Sequence, residues 1–166
     1  MVTGLAQRVA EAVPDPELPM LTLADLGILR GVEEAGAGRV VVTITPTYSG
    51  CPAIGAIRAD LSARLREAGY DEVEIRTALS PAWTSDWISE TGRRKLSAAG
   101  IAPPGAAPVR RSGPVPLTLG PVRRRVSCPR CGSAETEEVS GFGATACKAL
   151  WRCRACAEPF ERVKEI

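Results

Sequence analysis

The spacing of apolar residues near the start of the chain predicts a short amphipathic helix. Leu5, Val9 and Val13 recur every four residues, which places them on one helical face. Thr3 is a suitable N-cap, and Pro14 ends the helix because proline lacks the N–H that a further turn needs. The Pro-rich turn that follows is expected to be neither helix nor central strand.

The periodicities that follow predict a small α/β unit. Residues 28–34 and 39–45 alternate around a Gly-rich turn and predict a β-hairpin. A helical stripe then ends before Gly69, and residues 73–79 alternate again as a third strand. The stripe consists of Ile54, Ile57, Leu61, Leu65 and Ala68. Because a strand–helix–strand connection makes its two strands parallel, we expect a mixed three-stranded sheet, followed by a helix over 85–99.

Composition changes abruptly after residue 100. Residues 101–127 hold six prolines, three glycines, five arginines and no acidic residue. Such a segment buries little apolar surface, so we expect an extended linker between a domain at 1–100 and a second domain at 128–166. Its positive charge has two interpretations, a solvated spacer or a segment that docks to an acidic partner.

Four cysteines of the second domain form two Cys-x-x-Cys pairs, Cys128 with Cys131 and Cys153 with Cys156. In each pair one tight turn aims two thiolates at one point, and two such turns close a tetrahedral sulfur cage. A domain this small is expected to need a structural metal. We therefore predict a zinc ribbon with structural Zn²⁺, while a rubredoxin-like iron site or an iron–sulfur cluster stays an alternative with the same ligands.

The overall composition excludes several classes of protein. The 166 residues include no histidine, so the chain has no Ser-His-Asp triad, no Cys-His pair and no Glu-x-x-His di-iron motif. A net charge of +2 does not indicate nucleic-acid binding, and no run of about 20 apolar residues predicts a membrane span. Without a recognisable signal peptide, we expect a cytoplasmic protein whose paired cysteines bind metal. We assign no catalytic residue and expect no enzymatic activity of the chain alone.

Two cysteines lie outside these pairs. Cys51 follows the second predicted strand, and Pro52 suits the first position of the next helix. A sulfur there faces the positive end of the helix dipole, so it is either a thiolate that holds iron or a cluster transiently, or a cap or buried thiol. One cysteine cannot close a site, so other ligands would come from partners such as a second copy. Cys147 is expected to be a small buried residue, with a spare ligand or a reactive thiol beside Lys148 as the alternative.

Two pairs of acidic and aromatic residues elsewhere in the chain are interpreted as structural. Asp15 and Glu17 lie in the Pro-rich turn, where an aspartate before proline stiffens the backbone, and we assign them no acid–base role. Trp83 and Trp87 are expected to pack internally, whereas exposed positions would make them interface anchors.

Three short motifs resemble those of a known domain family. They are residues 15–19 (DPELP), 24–28 (ADLGI) and 45–52 (TPTYSGCP). Over about residues 5–80 the chain resembles the small iron–sulfur assembly domain that includes SufT and the eukaryotic cytosolic cluster-targeting proteins. This resemblance implies a two-layer α/β domain that matures or delivers metal–sulfur centres. It also implies an iron–sulfur or thiolate site at Cys51, with Asp15 and Thr47.

Further motifs extend the resemblance over nearly the whole chain. Residues 80–88 (SPAWTSDWI), 100–104 (GIAPP) and 142–150 (FGATACKAL), with the cysteine-rich tail, resemble the PaaD (or PaaJ) subunit family of bacterial phenylacetate degradation. This resemblance implies work with the multicomponent phenylacetyl-CoA ring epoxidase. In that system another subunit holds the di-iron site, and a reductase supplies electrons through flavin and an iron–sulfur cluster.

These observations favour an accessory protein that matures or delivers a metal or iron–sulfur centre to the epoxidase and contacts its other subunits. The alternative is a permanent structural or electron-passing subunit. A stand-alone enzyme acting on CoA esters ranks last, because the sequence has no nucleophile–base pair and no phosphate loop.

Overall fold

The computed structural model describes residues 4–36, 38–108 and 125–166. The chain divides into two compact units, Met1–Leu96 and Ser97–Ile166. Most of the predicted linker, residues 109–124, lies outside the described residues. Within the described residues, no helix combines the length and the apolar character needed to span a membrane.

The first unit contains the predicted mixed three-stranded sheet. Its strands are β1 (Leu29–Glu34), β2 (Arg39–Ile44) and β3 (Glu72–Thr77), in the order β1-β2-β3. β1 pairs antiparallel with β2, and β3 pairs parallel with β2, as the hairpin and the crossover helix predict. β2 is the central strand, which explains why its apolar residues Val40 and Val42 are fully buried.

Two helices form the second layer of this unit. They are α1 (Leu5–Glu11) and α2 (Ile54–Glu67). α1 packs against β1 and α2, and α2 packs against β3. α2 buries Ile57, Leu61 and Leu65, three members of the predicted stripe. The α+β fold class and the two-layer arrangement are therefore confirmed.

The buried face of α1 differs from the predicted one. Ala6 and Ala10 are the fully buried residues of the helix, whereas Leu5 keeps 46% of its surface exposed; Val13 is buried as predicted but lies beyond the last residue of α1. The side chains of two distant residues fix this rotation, because the backbone N–H of Ala6 donates to Glu34 Oε1 and to Tyr70 Oη, both at 3.1 Å. These acceptors satisfy an N–H group of the first turn that has no partner within the helix.

The start of α1 also differs from the prediction. The N-cap is Gly4 and makes no side-chain hydrogen bond. Thr3, the predicted N-cap, lies outside the described residues. Gly4 is therefore the N-cap. Because glycine has no side chain to accept a backbone N–H of the first turn, acceptors on distant residues do so instead.

The helix predicted over 85–99 is wrong in its first part. A single 3₁₀ turn covers Ser85–Trp87, Ile88 adopts an extended backbone, and α3 then runs from Glu90 to Ala98. Ser89 begins α3 because its Oγ accepts the backbone N–H of Gly92 at 2.9 Å. Ser89 is itself fixed by Asp25, whose carbonyl oxygen accepts its N–H at 2.8 Å.

The second unit is built on an antiparallel sheet. Its strands are β4 (Thr136–Ser140), β5 (Lys148–Cys153) and β6 (Pro159–Val163), in the order β4-β5-β6. Among the described residues, the main core cluster of this unit consists of Ala102, Val126, Cys128, Ala149, Trp151, Cys153 and Phe160. Two of the predicted metal ligands are thus part of the core itself.

The boundaries of the predicted linker, 101 and 127, differ from those of the structure. Ala102 donates its N–H to the carbonyl of Glu161 at 2.8 Å and accepts the N–H of Val163 at 3.0 Å. Val126 is buried, and its carbonyl accepts the hydroxyl of Thr136 at 2.6 Å. Both ends of the segment therefore belong to the second unit, because their backbone groups and apolar side chains find partners on its sheet.

Candidate functional site

The first cysteine turn holds Cys128 and Cys131. The N–H of Cys128 donates to the carbonyl of Ser133, and the carbonyl of Cys128 accepts the N–H of Gly132, both at 2.9 Å. Gly132 has a φ of 74°, in the left-handed region that glycine adopts without steric cost. The residue after the second cysteine therefore closes the turn.

The second cysteine turn repeats this arrangement with Cys153 and Cys156. Cys153 ends β5, and its N–H donates to the carbonyl of Glu158 at 2.9 Å. Ala157 takes the place that Gly132 has in the first turn and adopts a φ of 62°. Both turns thus use a left-handed residue, although only the first has a glycine there.

The four sulfur atoms meet at one point. All four Sγ atoms lie within 4.8 Å of one another. The distance is 3.8 Å between Cys128 and Cys156 and 3.6 Å between Cys131 and Cys153. Because a Zn–S bond is about 2.3 Å long, four sulfurs around one ion stand about 3.8 Å apart. The distances between the four sulfurs therefore fit a single tetrahedral ion. In an iron–sulfur cluster, cysteines bound to different irons would have larger sulfur–sulfur distances.

The two turns expose their cysteines unequally. Cys128 is 2% exposed and Cys153 is fully buried, whereas Cys131 and Cys156 are exposed. Hydrogen bonds from the backbone N–H groups of Cys156 and Ala155 lower the pKa of the Cys153 thiol to about 7. Backbone donors therefore favour the thiolate form that a metal ligand needs.

Replacing Ala157 by glycine is expected to stabilise the second unit by about 0.5–1 kcal/mol, because glycine removes the steric cost of a left-handed backbone. The matched substitution Gly132→Ala is expected to destabilise it by a similar amount. A Cβ at Gly132 meets no atom within 4 Å, so the only expected cost is the strain of holding alanine in a left-handed backbone conformation. Denaturant unfolding of the metal-loaded variants measures both effects, and shifts of the same sign would contradict the argument.

Cys147 does not belong to the quartet. It precedes β5 and is half-buried, and its sulfur lies 3.1 Å from the hydroxyl of Thr145. Among the described residues, the group of side chains able to hold a metal comprises the four other cysteines of this unit. The spare-ligand interpretation of Cys147 therefore has no support in the geometry.

Cys51 lies in the loop between β2 and α2 and is half-buried. Its N–H donates to the carbonyl of Tyr48 at 3.2 Å, and its own carbonyl accepts the N–H of Ile54 at 3.3 Å. The N-cap of α2 is Ala53, so the prediction that Pro52 takes the first helical position is wrong. Cys51 therefore lies two residues before the N-cap of α2 rather than at the N-cap itself.

Asp15 has a structural role in the Pro-rich turn. Its Oδ1 accepts the backbone N–H groups of Glu17 at 2.9 Å and Leu18 at 2.8 Å, and the residue is 6% exposed. Its backbone N–H donates to the carbonyl of Leu21 at 2.9 Å. The aspartate therefore holds the turn closed, as expected for this residue before proline.

Backbone hydrogen bonds link this turn to the Cys51 loop. Val13 accepts from Leu23, Leu23 accepts from Ile28, and Ile28 accepts from Thr45, each at 2.9 Å. Thr47, two residues beyond Thr45, lies half-buried in the same loop as Cys51. No described group of three or more Cys, Asp or Glu side chains includes Asp15 or Cys51, so the first unit does not by itself assemble a metal site.

Sequence reasoning missed the role of Asp25, which lies in the second resemblance motif. Its carboxylate accepts from Lys95 Nζ at 2.6 Å, from the N–H of Thr22 at 3.1 Å and from the hydroxyl of Ser89 at 3.3 Å. Burial alone would raise the pKa of this carboxyl, but these bonds hold its pKa below the usual value. The carboxylate of Asp25 therefore has a structural role, because its hydrogen bonds connect its loop to α3.

Two neighbours of Asp25 explain the rest of that motif. Gly27 has a φ of 67°, and a Cβ there would meet the backbone oxygen of Trp87 at 2.7 Å. The indole N–H of Trp83 donates to the carbonyl of Leu26 at 2.9 Å, and Trp83 is buried, as predicted. In the sequence, Gly27 lies far from Trp83 and Trp87. Nothing in the local pattern indicates that the loop around Gly27 packs against these tryptophans.

Two family models match separate parts of the chain. Residues 8–77 match the model described as "Iron-sulfur cluster assembly protein". Residues 112–164 match the model described as "PaaD zinc beta ribbon domain". The first match falls on the α/β unit and the second contains the cysteine quartet.

Three known proteins are similar to the chain over nearly all or about half of its length. The chain is 44% identical over 158 residues, 93% of this chain and 87% of the relative, to an Escherichia coli (strain K12) protein that is named as one subunit of a "Putative 1,2-phenylacetyl-CoA epoxidase". It is 33% identical over 90 residues, 54% of this chain and 85% of the relative, to the "Fe-S protein maturation auxiliary factor" of Porphyromonas gingivalis (strain ATCC BAA-308 / W83). The crystal structure of a domain of unknown function, DUF59, from Bacillus anthracis matches with a TM-score of 0.50 and 30% identity, covering 54% of this chain and 85% of that one.

Proposed function

The chain belongs to the PaaD family of phenylacetyl-CoA epoxidase subunits, and from this premise we propose that it is an accessory protein of that epoxidase. In this role it matures or delivers a metal or iron–sulfur centre to the enzyme. The observation that carries the proposal is the pairing, in one chain, of an iron–sulfur-assembly unit with a PaaD ribbon. The maturation role named for the relative that matches this unit supports it.

The ribbon is proposed to hold one structural Zn²⁺ through Cys128, Cys131, Cys153 and Cys156. Four thiolates leave no open position for substrate or water, so the ion would stabilise the unit rather than take part in a reaction. The sulfur spacing and the family description of the ribbon both support zinc. Thiolates of this kind persist in a reducing compartment, and we propose the cytoplasm.

Cys51 is proposed as the thiolate that handles iron or cluster material, with Thr47 in the same loop and Asp15 shaping the adjacent turn. A single thiolate cannot hold a cluster, so further ligands would come from the client subunit or from a second copy of the chain. The partial exposure of Cys51 and its place after the central strand support this assignment. Its position at the carboxyl end of β2 is where α/β proteins commonly bind ligands.

Omitting this chain from cells that produce the other epoxidase subunits tests the proposal. We expect the enzyme purified from such cells to have little ring-epoxidation activity and a lowered content of iron or acid-labile sulfide. Adding the chain during expression should restore both quantities, whereas adding it to the finished, purified enzyme should not. Full activity and metal content without the chain would overturn the accessory role.

A permanent subunit is the second candidate, because the Escherichia coli relative is named as a subunit. In that case the chain would copurify with the oxygenase in fixed proportion through repeated washing. It would also restore activity when added to the finished enzyme. A maturation factor would do neither.

A further inference from the structure

The two turns of the ribbon have the same asymmetry. In each, the first cysteine is buried against the sheet and the second is exposed at the tip. Cys128 and Cys153 are also members of the core of the unit. The inner pair, Cys128 and Cys153, and the outer pair, Cys131 and Cys156, therefore differ in how much structure must move before an outside molecule can reach the sulfur.

Hydrogen bonds reinforce this difference for Cys153, the inner cysteine of the second turn. The sulfur of Cys153 accepts from the backbone N–H groups of both Ala155 and Cys156. Each outer sulfur receives one backbone donor, Ser133 for Cys131 and Glu158 for Cys156. A thiolate with more donors and no solvent contact is harder to displace from an ion than an exposed one with fewer donors.

From these observations we infer that the ribbon exchanges its metal ion through the outer pair, Cys131 and Cys156, while the inner pair still holds the ion, so that the unit stays folded until an acceptor has bound the ion. In each exchange step an acceptor thiol would lose its proton and bond to the ion as one outer cysteine releases it, and the released thiolate would take up that proton. No oxidant or reductant is needed. The inference rests on the proposed zinc content of the ribbon. It adds that the site has an exchange face, formed by Cys131 and Cys156, through which the ion can leave.

The kinetics of zinc transfer to the chromogenic chelator 4-(2-pyridylazo)resorcinol test the inference on the full-length, zinc-loaded protein. If the chelator attacks through the outer pair, the initial rate is expected to rise in proportion to chelator concentration, so that doubling the chelator doubles the rate. If release instead requires unfolding, the rate is expected to level off at the unfolding rate, which a denaturant jump measures independently. A plateau at that rate would overturn the inference.

Alkylation provides a second readout that does not depend on the chelator. A Cys51→Ser, Cys147→Ser background leaves only the four ribbon cysteines to react. N-ethylmaleimide applied to the zinc-loaded protein is expected to label Cys131 and Cys156 before Cys128 and Cys153, with zinc released as the outer pair reacts. Simultaneous labelling of all four, or earlier labelling of the inner pair, would contradict the exchange face. Protein that contains no zinc after purification would instead contradict the proposed cofactor, so the two failures are distinguishable.

Discussion

Removing the metal from the ribbon is expected to unfold the second unit and to leave the first unit folded. Among the described residues, the core cluster of the second unit has seven members, and two of them, Cys128 and Cys153, are predicted metal ligands. The core of a unit this small rarely supplies more than about 3–5 kcal/mol, and two of its members are themselves the predicted ligands, whereas structural zinc binds small domains with about 10–16 kcal/mol. Without the ion, the four sulfurs lose the interaction that holds both turns together. The folded state of the unit is then expected to disappear.

Nuclear magnetic resonance on the full chain measures this effect unit by unit. Addition of a strong chelator should collapse the amide signals of β4, β5 and β6 into the narrow range of an unfolded chain. The signals of β1, β2 and β3 should stay dispersed, because the first unit has its own sheet and buried core and contains none of the four ribbon cysteines.

The substitution Cys153→Ala should reproduce the chelator's effect in the presence of zinc. Cys147→Ala is the matched control, because it removes a half-buried thiol from the same unit without touching the quartet. A folded ribbon in the Cys153→Ala variant, or a control that unfolds equally, would show that the metal is not what stabilises the unit.

The features predicted correctly from the sequence depend on residues close together along the chain. The mixed sheet follows from two short periodicities and the crossover rule, and the quartet follows from two-residue spacings. In both cases the local pattern leaves few alternatives. A hairpin followed by one helix can pair its strands in few ways, and two cysteine turns meet wherever β4 and β5 pair, since Thr136 lies opposite Cys153.

The features predicted wrongly depend on distant partners. The rotation of α1 is fixed by Glu34 and Tyr70, and neither residue is near the helix in sequence. The start of α3 is fixed by Asp25, whose loop precedes all three strands of the sheet. Ala102 joins the ribbon because the edge of β6 accepts it. A periodicity read along one segment contains no information on which other segment will supply these groups.

The Cys51 site shows the same limit. Its place in a loop after β2 follows from local pattern, and the structure agrees. Whether Asp15 and Thr47 act with it depends on side-chain placement and on partners outside the chain. In the described structure the carboxylate of Asp15 accepts two backbone N–H groups of its own turn. Asp15 is therefore unsuited as a test residue, because its substitution would disturb the turn as well as any site.

Cys51→Ser is expected to lower the activity of a co-expressed epoxidase while leaving this chain folded. Serine keeps the size of the side chain and its capacity to donate a hydrogen bond, so the unfolding free energy should change by no more than about 0.5 kcal/mol. A serine hydroxyl is a poor ligand for iron at neutral pH, and only the thiolate is an effective one. Loss of a residue that merely supports a metal site costs roughly 10- to 100-fold in affinity or activity, and loss of a ligand should cost at least as much.

Ring-epoxidation rate and iron and sulfide content of the purified epoxidase measure the effect, with Cys147→Ser as the matched control in the other unit. The two substitutions change the same atom, so a fall in both would indicate a general loss of folding or expression rather than a function of Cys51. A fall with Cys51→Ser alone, accompanied by lower iron or sulfide in the enzyme, would place the defect in maturation. If the activity fell while the metal content stayed normal, the chain would act within the finished complex, because a delivery step cannot fail without leaving its client short of the centre. Unchanged activity and metal content would exclude Cys51 from delivery altogether.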